Sequence, residues 1–178
     1  ILAALTFWLN QFVQLSAARG DGNKRHDPDL IVENFTAQAL GETGEVQYTV
    51  KAARLAHFPD DDTSSMETVI FTALHPSLPP VVAIAPRGKL LAGVDEVIME
   101  GGVVVNSEKT ETHQPLRLVT PTLNIFPSKN LARSTSGVQL DSPTGQITAN
   151  RMELNSLTRR IQLQRGRITY QQPHRKNS

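Results

Sequence analysis

The sequence predicts an all-β protein: an open-ended twisted β-jelly roll of stacked hairpin repeats, preceded by one N-terminal transmembrane helix. Three observations support this prediction: a repeated 17-residue spacing, a series of alternating apolar and polar runs, and an uncharged stretch over residues 1–18. Hydrophobic residues make up 39% of the 178 residues but aromatic ones only 5%, so the core must be aliphatic. Eleven glycines and eleven prolines favour many short strands over long helices.

The uncharged stretch, ILAALTFWLNQFVQLSAA, would span about 27 Å as a helix, close to the ~30 Å hydrocarbon core of a bilayer. Helical spacing puts its polar side chains on one stripe: Thr6, Asn10, Gln11 and Gln14. A polar stripe is costly in lipid unless neighbouring helices satisfy it, so we expect an uncleaved anchor docked on partner helices. Two alternatives stay open. One is a signal peptide with its cleavage site at Ser16–Ala18, and the other is an amphipathic helix in a soluble core.

The rest of the chain divides into three segments. Residues 19–29 are rich in glycine and charge and are predicted to be a juxtamembrane linker. Residues 30–171 form the predicted β-domain, and residues 172–178 a flexible tail. Apolar and polar residues alternate in runs separated by turn-rich segments, as half-buried strands require. These runs lie at residues 46–52, 81–85, 116–120 and 167–171.

The repeat joins pairs of positions that are 17 residues apart. In the three clearest copies a short or turn-forming residue is followed by a glycine that opens a new apolar run, and a weaker copy ends on valine. The pairs are Ala85 with Gly102, Thr120 with Gly137, Ala149 with Gly166, and Ala52 with Val69. A fixed internal spacing is typical of stacked supersecondary units. Residues 149–165 also have roughly helical spacing, but the repeat predicts a strand pair there.

Prolines and glycines stand at matching places in these repeats. Pro86 and Pro121 each follow the first member of a pair, and proline cannot donate to a central ladder. These positions are therefore predicted to be kinks or edges, and the paired glycines to be bulges or bends. Kinks at matching places in every repeat predict a curved, open-ended trough.

The composition argues against several classes of function. The net charge is +1, and there is no cysteine for disulfides, thiolate metal sites or thiol catalysis. Residues 151–178 hold seven Lys/Arg against one acid, Glu153, which indicates either a solvated surface or an anion site. The histidines are isolated in sequence, and the acidic run at residues 60–62 lacks the spacing of a calcium loop. No catalytic residue, metal, cofactor or nucleic-acid partner is predicted.

The residues leave two rival functions open. A β-sandwich glycosidase or lyase needs two facing carboxylates. The candidate acids fall at turns or strand ends without obvious convergence: Glu96, Glu100, Glu108 and Glu111. An anchored scaffold that pairs its sheet edges with partner strands is the second rival.

The order and spacing of the segments resemble the LptC family. These segments are YTVKAARL, VAIAPRGKL with VIMEGGVVVN, LRLVTPTLNI with GVQL, and GQITANRMEL. The resemblance implies an inner-membrane protein with a single-pass anchor and a periplasmic jelly roll that holds lipid A acyl chains. It would accept lipopolysaccharide from the LptBFG transporter, in which LptF and LptG are the membrane subunits and LptB the ATPase. It would then pass the lipid to LptA, while the anchor modulates the transporter.

The chain departs from the family pattern at two places. Gly101-Gly102 stands where one glycine is usual, and Val69 stands where the repeat would have glycine, so both registers stay open. A soluble LptA-like periplasmic bridge is the main alternative function.

Aliphatic inward positions would shelter acyl chains of varied shape without fixing one pose. The positions predicted to bind lipid are Val46, Tyr48, Val50, Ala52, Leu55, Phe71, Val81, Ala83, Val103, Val105, Leu118, Leu140, Ile147 and Ile168. Plain core packing is the alternative for each of them.

Overall fold

A computed structural model describes residues 26–42, 44–91, 95–109, 115–142, 145–158 and 160–170. The predicted anchor with its polar stripe, most of the linker and the tail lie outside the described residues. Within the described part of the chain, no helix has the length and hydrophobicity needed to span a membrane. The described residues form strands and a single turn of 3-10 helix, which confirms the all-β prediction for this part of the chain.

Six long strands come first. They are β1 (Leu30–Leu40), β2 (Val46–Phe58), β3 (Thr63–His75), β4 (Leu78–Leu91), β5 (Glu96–Ser107) and β6 (Leu116–Phe126). Six short strands follow the 3-10 turn Pro127–Lys129. They are β7 (Leu131–Ser134), β8 (Val138–Ser142), β9 (Gly145–Ala149), β10 (Arg151–Asn155), β11 (Arg160–Gln164) and β12 (Arg167–Tyr170).

All the strands belong to one antiparallel sheet that divides into two arms at β6. The first half of β6 pairs with β8, which continues through β9 to β12. The second half of β6 pairs with β7, which continues through β10 to β11. In the described chain β1 pairs only with β2, and neither β11 nor β12 closes back onto it. The sheet is therefore open, as predicted, and residues 149–165 contribute a strand pair and no helix.

The 17-residue spacing is the separation in sequence between residues of adjacent strands that face each other or lie one position from doing so. Ala149 lies beside Gly166, one position beyond the paired Arg167 and Thr148. The Thr120 hydroxyl donates to the Gly137 carbonyl oxygen at 2.8 Å. The other copies lie in the same row, where Val69 pairs with Ala85, and Val103 with Thr120. This row crosses the middle of the sheet and is called the bend row below.

Residues with positive φ lie along the bend row on alternate strands. Their φ values are 53° at Asn34, 52° at Thr68, 89° and 98° at Gly101 and Gly102, 84° at Gly137 and 54° at Arg165. The strand register shifts where Pro86 and the double glycine face each other, as bulges do. The predicted bends are confirmed at Pro86, Pro121, Gly102 and Gly137, since Pro121 lies between Thr120 and Thr122, where the register with β5 shifts. In the last repeat the residue with positive φ is Arg165, one position before the predicted Gly166.

The two open registers are also resolved. Both glycines lie in the bulge, so that Val103 faces Thr120. Val69 needs no glycine because the positive φ belongs to its neighbour Thr68, and the Val69 side chain is fully buried.

On β6 the alternation of inward and outward side chains shifts by one residue at the bend row. On β6 the buried residues are Leu118 and Thr120 before the bend but Leu123 and Ile125 after it. The shift of one residue at the bend keeps apolar side chains inward on both sides of the row, because successive strand residues face opposite ways. The core is aliphatic, as the composition predicts.

Candidate functional site

An apolar cavity of about 390 Å³ lies between the two halves of the sheet that meet at the bend row. One wall comes from the first half of β2, the second half of β3 and the first half of β4, and the other from β6, β7 and β10. Residues from both sides of the bend row line it, so the sheet folds across the row and encloses a space.

Half of the predicted lipid-binding residues line this cavity: Val46, Tyr48, Phe71, Val81, Ala83, Val105 and Leu118. The rings of Tyr48 and Phe71 stack with centroids 5.5 Å apart. Burial raises the pKa of the Tyr48 hydroxyl, with a smaller contribution from the charge of Asp95. Tyr48 therefore stays neutral at physiological pH and presents an aromatic surface to the cavity.

The cavity wall also includes residues that were not predicted from the sequence, among them seven apolar ones on its strands. They are Ala73, Leu123, Ile125, Leu131, Ala132, Met152 and Leu154. Most of them lie beyond the bend row, where the alternation has changed phase. The signal that could have located them is the proline at the bend, since a kink there implies a shift in which residues face inward.

The other predicted residues lie elsewhere. Val50, Ala52, Leu55, Val103 and Leu140 are buried in the core without lining the cavity, and Ile147 packs against the core while partly exposed. Ile168 was predicted to face inward, but its side chain is 56% exposed. The reason is its strand, since β12 pairs only with β9 and ends one arm of the sheet.

Polar residues mark the mouth of the cavity. Gln47, His75, Asn130 and Ser156 lie at strand ends and turns around it. Alternation along β2 places Gln47 on the outer face, yet it contributes to this rim. The exposed leucines Leu74 and Leu157 also line the cavity, so its apolar lining continues to the surface beside these polar groups, as a site for an amphiphile requires.

A separate cluster of histidines and aspartates joins the end of the linker to the β2–β3 turn, and we call it the His–Asp clamp. His26 Nδ1 lies 2.9 Å from Asp60 Oδ2, and the His26 ring stacks on Phe58 at 4.2 Å. His57 Nδ1 and Nε2 lie 2.8 Å from Asp29 and 3.2 Å from Asp62. Two histidines that are isolated in the sequence are thus both paired with carboxylates.

Hydrogen bonds within the clamp shift its pKa values. The bond to Asp60 is the main reason that the pKa of His26 is raised, and the bonds to Asp29 and Asp62 raise the pKa of His57. The bond from His26 lowers the pKa of Asp60. His26, Asp60 and Asp61 also place potential metal-ligand atoms within 4.8 Å of one another, but all three residues are exposed.

The carboxylates considered for catalysis do not form a facing pair in the described residues. Glu96 accepts a hydrogen bond from Asn124 Nδ2 at 2.6 Å, and Glu100 lies at the bulge beside the double glycine. Glu108 is exposed after β5, and Glu111 lies outside the described residues.

The fold and cavity define an open antiparallel β-sheet protein that encloses an apolar binding space between two halves of its sheet. The family described as "Lipopolysaccharide-assembly, LptC-related" matches residues 1–171, so the chain belongs to the LptC family and takes part in lipopolysaccharide transport. A search of curated proteins gives no significant match. Among solved structures, the chain is similar to the crystal structure of LptH, the LptA homologous periplasmic component of the lipopolysaccharide transport device from Pseudomonas aeruginosa. The identity is 8% and the TM-score 0.48, with 83% of this chain and 98% of that one covered.

Proposed function

We propose that this chain accepts lipopolysaccharide from the LptBFG transporter of the inner membrane, shelters its acyl chains in the cavity and passes it to LptA in the periplasm. The observation that carries the proposal is the apolar cavity that reaches the surface beside polar side chains, in a chain of the LptC family. Each acyl CH₂ gains about 0.8 kcal/mol on leaving water, so acyl chains need continuous shelter on this path. ATP hydrolysis in LptB drives the movement.

The proposal is tested by site-specific photocrosslinking in membranes that actively transport lipopolysaccharide. A crosslinker at Tyr48, on the cavity wall, is expected to capture lipopolysaccharide, whereas one at the exposed Lys51 of the same strand is not. Gln47 is unsuitable as an outward control because it lies at the mouth. Equal labelling at Tyr48 and Lys51 would contradict the inward assignment of the lipid.

The proposed hand-off uses the unpaired edges of the sheet. An edge strand presents free backbone donors and acceptors that can pair with a strand of a partner jelly roll. We assign the β12 edge, with the exposed Ile168, to the contact with LptA. Ile168→Lys is expected to weaken capture of LptA. Ile84→Lys, at an exposed isoleucine on the central strand β4, is the matched control. Similar losses in both variants would argue against edge pairing.

The proposed anchor, residues 1–18, would hold the chain in the inner membrane with its C-terminal domain in the periplasm. Thr6, Asn10, Gln11 and Gln14 would face helices of LptF and LptG. The double variant Asn10→Leu with Gln14→Leu is expected to change the rate of ATP hydrolysis by the transporter complex. If complex formation and ATP hydrolysis are both unchanged, the polar stripe makes no functional contact with the transporter.

The intact mass of the mature protein separates this proposal from the LptA-like alternative, because a soluble bridge would have lost residues 1–18.

A further inference from the structure

A polar groove of about 540 Å³ crosses the sheet where the short strands are interrupted along the bend row. It lies apart from the apolar cavity, and the two share no lining residue. Its lining side chains are hydrogen-bond donors, and no carboxylate is among them. They include Thr135, Ser136, Asn150, Arg151, Gln164 and Arg165.

Backbone hydrogen bonds fix the three interrupted segments beneath this groove. The Gly137 amide donates to the Asn150 carbonyl oxygen at 3.1 Å, and the Asn150 amide donates to the Gln164 carbonyl oxygen at 3.1 Å. Arg151 faces Gln164 across the β10–β11 pair, and Arg165 follows directly in the chain. The two guanidinium groups are therefore carried by adjacent, mutually fixed segments.

Neither arginine is neutralised within the described chain. Arg133 pairs with Glu153 at 2.9 Å, whereas no described carboxylate lies within 4 Å of Arg151 or Arg165. Two free guanidinium groups beside hydroxyl and amide groups are suited to an anion with several acceptor oxygens.

The backbone at Arg165 gives a second, independent reason. Its φ of 54° lies in the left-handed region, where glycine or asparagine costs less than arginine. Strained residues of this kind concentrate at functional sites. The chain holds an arginine at a bend where glycine would relieve strain, which is consistent with a role for the guanidinium group.

We propose that this groove binds a phosphate group through Arg151 and Arg165. The source of the phosphate is either the phosphorylated head group of the transported lipid, in which case the inference rests on the proposed function, or free inorganic phosphate. The side-chain amides and hydroxyl groups at the rim would donate to the remaining phosphate oxygens.

The test is a titration of the full chain in detergent micelles with inorganic phosphate at constant ionic strength, followed by NMR of the backbone amides. Phosphate is expected to shift the signals of residues 135–137, 150–151 and 164–165. Arg151→Gln and Arg165→Gly should each weaken binding about tenfold or more, because each removes a charge-assisted hydrogen bond. Arg165→Gly should also leave the melting temperature unchanged or raised, since it relieves strain.

Arg160→Gln and Arg167→Gln are the matched controls, because they remove the same charge from the neighbouring strands β11 and β12, outside the groove. Phosphate binding should survive in both. An absence of shifts in the native chain, or equal weakening in variants and controls, would overturn the proposal. In the latter case diffuse positive charge would account for the attraction.

A second experiment identifies the source of the phosphate. Bisphosphorylated lipid A and its monophosphorylated form are compared for binding to the native chain and to Arg151→Gln. A preference for the bisphosphorylated form that disappears in the variant assigns the groove to the lipid head group. Inorganic phosphate binding without such a preference assigns it to free phosphate. Failure of lipid binding with phosphate binding intact would count against the proposed function alone.

Discussion

The six long strands and the six short ones cross the same bend row in different ways. Over residues 30–126 the strands run through the row, with residues of positive φ on β1, β3 and β5 and a bulge at the double glycine of β5. Over residues 131–170 each strand is broken in two. The long strands thus keep their ladder through the bend, whereas the broken strands divide the sheet into two arms. The sheet can therefore bend without a break in its strands, and the breaks in the short strands are what separate the two arms.

A cluster of buried hydroxyl groups joins the two arms at the point where they separate from β6. Thr120 Oγ1 lies 2.7 Å from Ser134 Oγ and donates to the Gly137 carbonyl oxygen at 2.8 Å. Thr120 and Ser134 are each 1% exposed. Since one hydroxyl has a single proton, Thr120 accepts from Ser134 while it donates to Gly137. The cluster joins Ser134, the last residue of β7 in one arm, to Gly137, which precedes β8 in the other.

The largest effect is expected for Thr120→Val. The substitution preserves shape but leaves the Gly137 carbonyl and the Ser134 hydroxyl buried without their partner, at a cost of about 3 kcal/mol. Thr72→Val, at a half-buried threonine on the unbroken strand β3, should cost far less. Urea unfolding of both variants measures the difference in the free energy of unfolding. Equal losses would mean that the hydroxyl cluster does not stabilise the point where the two arms separate.

The double glycine of β5 allows a finer comparison within the long strands. Gly102→Ala meets open space and should cost about 1–2 kcal/mol from backbone strain alone. Gly101→Ala should cost more, because its new Cβ would lie 2.7 Å from Cγ of the rigid Pro86 ring. Urea unfolding checks the order of the two, and a reversed order would contradict the facing of Pro86 and Gly101.

A gain in stability of about 1 kcal/mol is expected for Thr68→Gly. Thr68 is β-branched and has a φ of 52°, so it is strained where glycine would not be. Thr72→Gly, in the extended part of the same strand, should lower stability instead. The two melting temperatures test this, and a loss in both variants would show that the bend at Thr68 carries no strain.

The smallest effect is expected at the His–Asp clamp, because its histidines are exposed or partly exposed. The raised pKa values of His26 and His57 mean that their contribution is complete below the ordinary value of 6.5 and is lost as pH rises through the raised values. Asp60 has a lowered pKa, so its contribution is present above its ordinary value of 3.8 and is lost as pH falls through the lowered value.

The stability from the clamp is therefore greatest between these two limits. His26→Asn with His57→Asn should lower the melting temperature at about pH 5.5 more than at about pH 8. His75→Asn serves as a control, since the described contact of His75 is with the Ser77 amide and involves no carboxylate. A loss in the double variant that does not vary with pH would show that the clamp acts through packing on Phe58.

The sequence allowed the fold to be predicted where local chemistry repeats. The 17-residue spacing located the paired strands, and the prolines and glycines located the bends at Pro86, Pro121, Gly102 and Gly137. The bends at Thr68 and Arg165 were not predicted, because threonine and arginine ordinarily avoid positive φ and tertiary packing imposes it. The bend at Asn34 was not predicted because Asn34 belongs to none of the repeat pairs.

The cavity was predictable only up to the bend row. Alternation of apolar and polar residues predicted the cavity residues Val46, Tyr48, Phe71 and Val81. It did not predict Leu123 and Leu154, because these residues lie beyond the bend, where the alternation is shifted. Pairings that join distant segments also could not be derived from spacing, and His26 with Asp60 is the clearest example.

The central claim is that one cavity, walled by both halves of the sheet, shelters the acyl chains. The chain has no cysteine, so single thiols can be introduced at Ala73 on one wall, at Ala132 on the other and at the exposed Lys51 as a control. The rate of maleimide modification is then measured with and without bound lipopolysaccharide. Our account predicts that lipopolysaccharide slows modification of Ala73→Cys and Ala132→Cys but not of Lys51→Cys. Protection at neither wall, or equal protection at all three positions, would contradict it.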